Sequence, residues 1–124
     1  MRIALIQTNP VIGDFSGNSA GILHWTAKAK EAGCGLAIFP ELSLCGYPPQ
    51  DLLERGDFIT AHENHLKTLM AQIKDIGVLL GTIEKRTGPG KSLYNSALLF
   101  ENNREIARTR KQLLPTYDVF VETR

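Results

Sequence analysis

The sequence predicts an α/β fold, and three observations predict it. Two short apolar runs, Leu36-Ala37-Ile38-Phe39 and Val78-Leu79-Leu80-Gly81-Thr82, have the length and the lack of polar alternation expected of buried strands. Two longer segments carry apolar residues at helical spacing. The resulting order of strand, helix, strand, helix, strand suits a sheet with helical connections better than a helix bundle.

Residues 2–8 open the chain as the first buried strand, followed by Pro, Gly and Asp over positions 9–17, which is loop composition. Asn18 is the expected N-cap of the first helix, which runs to about Ala32, with Gly33 ending it. Its apolar stripe is Ile22, Trp25, Ala29 and Ala32. The strand at Leu36–Phe39 stops at Pro40. A loop with Gly46 and Pro48-Pro49 follows, with a short helical turn expected near Asp51–Arg55. The second helix is expected from Phe58 to Asp75, burying Ile59, Leu66, Leu69, Met70 and Ile73. After the strand at Val78–Thr82 the style changes. Thr87–Lys91 is loop, Ser92–Glu101 is strand, and Asn102-Asn103 signals a tight turn into a last strand at Arg104–Thr109.

The 124 residues are 43% hydrophobic and 22% charged, which excludes a disordered chain. Fourteen basic residues against thirteen acidic ones leave a net charge of +1, with no electrostatic footprint for nucleic acid or an anionic membrane. No apolar run approaches the ~20 residues of a membrane span, and the first residues turn polar too soon for a secretory signal. Two cysteines, Cys34 and Cys45, are expected to be free thiols of a cytoplasmic protein. The chain ends in a β-favouring run, Val119-Phe120-Val121, so it is expected to be part of a larger domain.

Several residues are candidates for chemistry. Glu41 follows Phe39-Pro40 at the C-terminal end of a strand, where ligand sites of open α/β sheets lie. Shielded by Phe39, Leu42 and Leu44, it is placed for work as a general base; the alternative is a strand-end glutamate capping a backbone N–H. Lys111 follows the last strand and is either a functional cation or a solvated lysine, with Arg108 and Arg110 weakening any argument from charge alone. Tyr47 and Tyr117 either line a pocket for a small polar ligand or pack at half-buried positions. Cys45 lies near Glu41 but has no histidine close in sequence to activate it, and a small buried cysteine is the better reading. Gly90-Lys91-Ser92 imitates the end of a phosphate loop, but Lys85 stands where the first glycine belongs and no helix follows. His62 and His65 are three apart on a helix with no evident third ligand, so no metal site is expected.

Phe39-Pro40-Glu41-Leu42-Ser43-Leu44-Cys45-Gly46-Tyr47-Pro48-Pro49 resembles the first signature of the nitrilase (carbon–nitrogen hydrolase) superfamily. Lys111-Gln112-Leu113-Leu114-Pro115 resembles the second, and residues 1–9 and 93–97 fit the same scaffold. Two longer stretches, Gly46–Leu53 and Leu114–Phe120, are similar to the glutaminase domains of glutamine-dependent NAD+ synthetases. The resemblance implies an α-β-β-α sandwich and a Glu–Lys–Cys triad. Glu41 would be its general base, and Lys111 would place an ammonium beside the developing oxyanion. Tyr117, and with it Tyr47, would contact bound glutamine. The resemblance further implies a second, ATP- and Mg2+-dependent domain that aminates deamido-NAD+, no cofactor in the 124 residues themselves, and a homo-oligomer.

The family's nucleophilic cysteine lies downstream of the Lys111 segment, a position that neither Cys34 nor Cys45 has. The chain is therefore expected to be the N-terminal part of a glutaminase domain, inactive by itself. The alternatives are part of a stand-alone nitrilase-type amidase, or a non-catalytic remnant.

Overall fold

In the computed structural model, which describes residues 1–46, 55–85 and 93–112, one five-stranded sheet carries two helices. The elements are β1 (Arg2–Leu5), α1 (Phe15–Glu31), β2 (Cys34–Ile38), α2 (Gly56–Gln72), β3 (Gly77–Lys85), β4 (Leu93–Glu101) and β5 (Arg104–Gln112). Strand order follows chain order. β1, β2 and β3 are parallel, and β4 and β5 continue the sheet antiparallel. The two helices supply the connections that parallel strands need.

The helices pack against each other, with the Phe15 and Phe58 rings 5.2 Å apart, so they share one face of the sheet. On that face Ala37, Val78, Leu80, Leu98 and Phe100 are fully buried. The alternating residues Leu36, Ile38, Leu79, Ala97 and Leu99 are only half-buried, as the two-residue period of a strand requires. Further along the second face, Ile3 and Leu5 are exposed.

The elements occur in the expected order, with different boundaries; β1, expected as a buried strand over residues 2–8, is a four-residue strand at the edge of the described sheet, with Ile3 and Leu5 exposed. α1 begins at Phe15 because Asp14 caps it, its Oδ1 accepting from Gly17 N–H at 3.0 Å. Asn18, expected at that cap, sits inside the first turn and is buried. The buried stripe is Phe15, Asn18, Ile22, Thr26 and Ala29; Trp25 and Ala32 face solvent. Gly33, at φ +83°, terminates the helix as expected. α2 ends three residues early, because Ile73 is already extended. Its buried residues include His62, which the apolar stripe did not contain. Asn102 and Asn103 both have positive φ, 51° and 63°, the conformation of a two-residue hairpin turn. The expected turn at Asp51–Arg55, up to residue 54, and the loop at Thr87–Lys91 lie outside the described residues.

Candidate functional site

The site is built where β2 gives out. Phe39 N–H still donates to Leu79 O at 2.9 Å, but Pro40 has no N–H to offer and pairing ends. The chain turns sharply over residues 41–45. Leu42 takes φ +55°, a left-handed conformation that costs a side-chain-bearing residue about 1–3 kcal/mol and persists only where surroundings dictate it. Here they do. Leu42, Leu44 and Cys45 are fully buried, Gly46 N–H donates to Leu42 O at 2.8 Å, and Ser43 Oγ donates to Pro40 O at 2.5 Å.

Asn18 adds a clamp from α1. Its amide donates to Leu44 O (2.9 Å) and Val11 O (2.8 Å), and its Oδ1 accepts from Val11 N–H (2.9 Å). One buried side chain thus ties the loop after β1 to the turn after β2. The sequence reading gave Asn18 a local capping role; the bond that matters for the site reaches 26 residues along the chain.

Gly81 is a second residue that the sequence reading missed. A Cβ built on it would stand 2.6 Å from Leu42 N and 2.8 Å from Glu41 Cα. Both are backbone atoms, so β3 passes under the turn at a distance only glycine permits. The available signal was a glycine inside an otherwise apolar strand.

The turn places Glu41, half-buried, beside an open cavity of about 300 Å³, whose lining includes Phe39, Leu79, Gly81, Asn95 and Thr109. Asn95 of β4 donates through Nδ2 to Glu41 Oε1. Lys111 does not follow the last strand, as expected, but lies within it, because β5 runs on to Gln112. In the ladder Lys111 is directly opposite Asn95. The register therefore connects the two segments singled out in the sequence through a residue that was not. Tyr47 and Tyr117 lie outside the described residues.

The two arginines near Lys111 have a separate task. Glu84 accepts from Arg108 Nη1 (2.6 Å), Arg110 Nε (2.7 Å) and Ser96 Oγ (3.1 Å). Burial pushes the Glu84 carboxyl up, but the arginine bonds outweigh it and hold the group below the usual range. Arg108 and Arg110 stand opposite Leu98 and Ser96, alternating with Lys111 along β5, so their charge is directed at Glu84.

Neither cysteine has the character of a nucleophile. Cys45 is fully buried, and burial pushes its thiol up to about 12, leaving negligible thiolate at neutral pH. Cys34 begins β2, at the opposite end from Glu41. Among the described residues no group of three or more His, Cys, Asp or Glu is gathered as a metal site would require. No described helix is long and apolar enough to cross a membrane.

A family model described as carbon–nitrogen hydrolase matches residues 2–123. The glutamine-dependent NAD(+) synthetase of Synechocystis sp. is 41% identical over 128 residues, an alignment covering 98% of this chain and 23% of that protein. The crystal structure of a glutamine-dependent NAD(+) synthetase from Cytophaga hutchinsonii superposes with a TM-score of 0.80 at 27% identity, covering 94% of this chain and 20% of that one. An amidase from Nesterenkonia sp. superposes with a TM-score of 0.70 at 25% identity, covering 92% and 44%. The chain thus spans less than a quarter of the length of the synthetases it matches.

Proposed function

From the premise that the chain belongs to the carbon–nitrogen hydrolase family, we propose that it forms part of the glutaminase unit of a glutamine-dependent NAD+ synthetase, one that releases ammonia from glutamine for the ATP-dependent amination of deamido-NAD+. The observation that carries the reading is the placement of Glu41. It sits on a constrained turn at a strand end, beside a cavity, bonded to the residue opposite Lys111 in the sheet. Among the solved structures the identity to the synthetases, 30% and 27%, exceeds the 25% to the amidase, which supports this reading over a stand-alone amidase.

In the proposed reaction a cysteine thiol outside the pair Cys34 and Cys45 attacks the side-chain amide carbon of glutamine. Glu41 accepts the thiol proton and returns it to the departing nitrogen, so that ammonia leaves and a thioester remains. Water, activated by the same carboxylate, then releases glutamate and restores the thiol. The Lys111 ammonium stands beside the oxyanion that forms in each half. Tyr47 and Tyr117 contact the bound glutamine. ATP and Mg2+ serve the amination and are assigned to residues other than these. The assembled enzyme is proposed to be a homo-oligomer.

The test uses the complete gene product and measures NAD+ formed from deamido-NAD+ and ATP, with glutamine or ammonia as nitrogen source. Glu41→Gln removes the base and keeps its shape; Lys111→Met removes the charge and keeps most of the length. Each is expected to lower glutamine-driven synthesis by at least about 10²–10³-fold while ammonia-driven synthesis stays near the parent level. Equal losses with both sources would assign these residues to folding. Undiminished glutamine turnover would remove them from the mechanism.

A further inference from the structure

We infer that Asn95 is a positioning residue for Glu41: its amide holds Oε1 and so fixes the carboxylate beside the cavity. The inference rests on the glutaminase reading and extends it to a residue outside the family's Glu–Lys–Cys triad.

Glu41 has three rotatable side-chain bonds and stands on a turn, so its carboxylate is not fixed by the backbone alone. Asn95 supplies what the turn lacks. β4 is an inner strand, and Asn95 is flanked by Ile83 of β3 and Lys111 of β5. A ladder on both sides keeps its Cα from shifting. Its Nδ2 donates to Glu41 Oε1, so one carboxylate oxygen is held from a neighbouring strand. Glu41 itself lines the cavity, so the anchored carboxylate is presented to it. Holding a reacting group in place before substrate arrives removes an orientational cost from the transition state.

The choice of donor is informative as well. A lysine or arginine at this place would pair with the carboxylate by charge and stabilise its ionised form strongly, which opposes proton uptake. A neutral amide anchors the group without adding charge. The arrangement also places the anchor opposite Lys111 in the sheet, so the positions of the base and of the proposed oxyanion partner refer to the same residue pair.

The experiment compares Asn95→Ala and Asn95→Asp with the parent in the complete gene product, reading kcat and KM for glutamine, ammonia-driven NAD+ formation and the thermal midpoint. Asp has the shape of Asn but turns a second carboxylate toward Glu41. Both variants are expected to lose roughly 10–100-fold in kcat, to change KM by less than about 3-fold, and to keep ammonia-driven synthesis. The Asp variant is expected at or below the Ala variant. An Asp variant as active as the parent would show that Asn95 only fills space. A parallel fall of both nitrogen sources, or of the thermal midpoint with kcat, would make its role structural. Either result overturns the inference. Glu41→Gln run alongside separates the two levels of argument. If it leaves glutamine turnover intact, the glutaminase reading fails. If it abolishes turnover while the Asn95 variants match the parent, only the role of Asn95 fails.

Discussion

Glu41 is held from beneath by an absence. Adding the single methyl of Gly81→Ala would bring Cβ within 2.6 Å of Leu42 N and 2.8 Å of Glu41 Cα. Backbone cannot swing aside as a side-chain tip does, so strand or turn must move. The expected cost is about 1–3 kcal/mol in a denaturant melt, the usual range for overpacking. Glutamine-driven turnover should fall with it, because the proposed base, Glu41, rides on the displaced turn. Gly77→Ala is the matched control: its Cβ would meet the end of the Leu36 side chain at 3.3 Å, and a far smaller effect is expected. Equal effects would mean that the close approach at Gly81 does not constrain the turn. At this scale the sequence singled out Glu41 as a candidate, because a proline and a carboxylate after an apolar run mark a strand end. It singled out Lys111 chiefly through family resemblance. Asn95, Gly81 and the site role of Asn18 were hidden, since each depends on register; the Asn95–Glu41 bond spans 54 residues, and no local pattern encodes that.

Elements were legible where period and punctuation agreed. All five strands and both described helices were found, and the Asn102-Asn103 pair, read as a tight-turn signal, takes positive φ at both positions. What failed was the choice of residues on a helical face. Spacings of three and four from Ile22 admit both Trp25 and Thr26, and an apolar criterion selects tryptophan; packing selects Thr26. The same criterion passed over His62, which is fully buried where α2 meets β3. Its Nε2 accepts from Ile83 N–H at a long 3.5 Å, and its ring lies edge-on to Phe15. Burial, with a smaller contribution from the charge of His65, lowers its pKa to about 4. The unfolded chain therefore binds this proton more readily than the folded one. Stability should be complete above about pH 6.5 and fall as pH drops towards 4, by up to roughly 3 kcal/mol. Urea melts across that range measure it. His62→Leu, which cannot take up a proton, should flatten the slope between pH 6.5 and 4. An unchanged slope would assign the acid sensitivity to another group.

Across the whole molecule the helices cover one sheet face and leave the other with a graded apolar surface. Leu36, Ile38, Leu79 and Leu99 are half-buried on it, while Ile3 is 52% and Leu5 77% exposed. Both exposed residues belong to β1, which stands at the edge of the sheet that the described strands form. Exposed apolar surface next to a free edge favours association. An isolated 124-residue chain is expected to bind a hydrophobic dye such as ANS in its folded state and to self-associate with rising concentration. Ile3→Thr combined with Leu5→Thr keeps strand-favouring residues on β1 and removes the apolar contact, so dye fluorescence and apparent mass should both fall. Trp25→Ser on the helix layer, also an exposed aromatic removed, should leave self-association nearly unchanged, because it lies on the far side of the sheet. If the β1 variant binds dye as strongly as the parent, the dye site lies elsewhere than on β1. If Trp25→Ser is the variant that disperses the chain, association runs through the helices and not through the sheet.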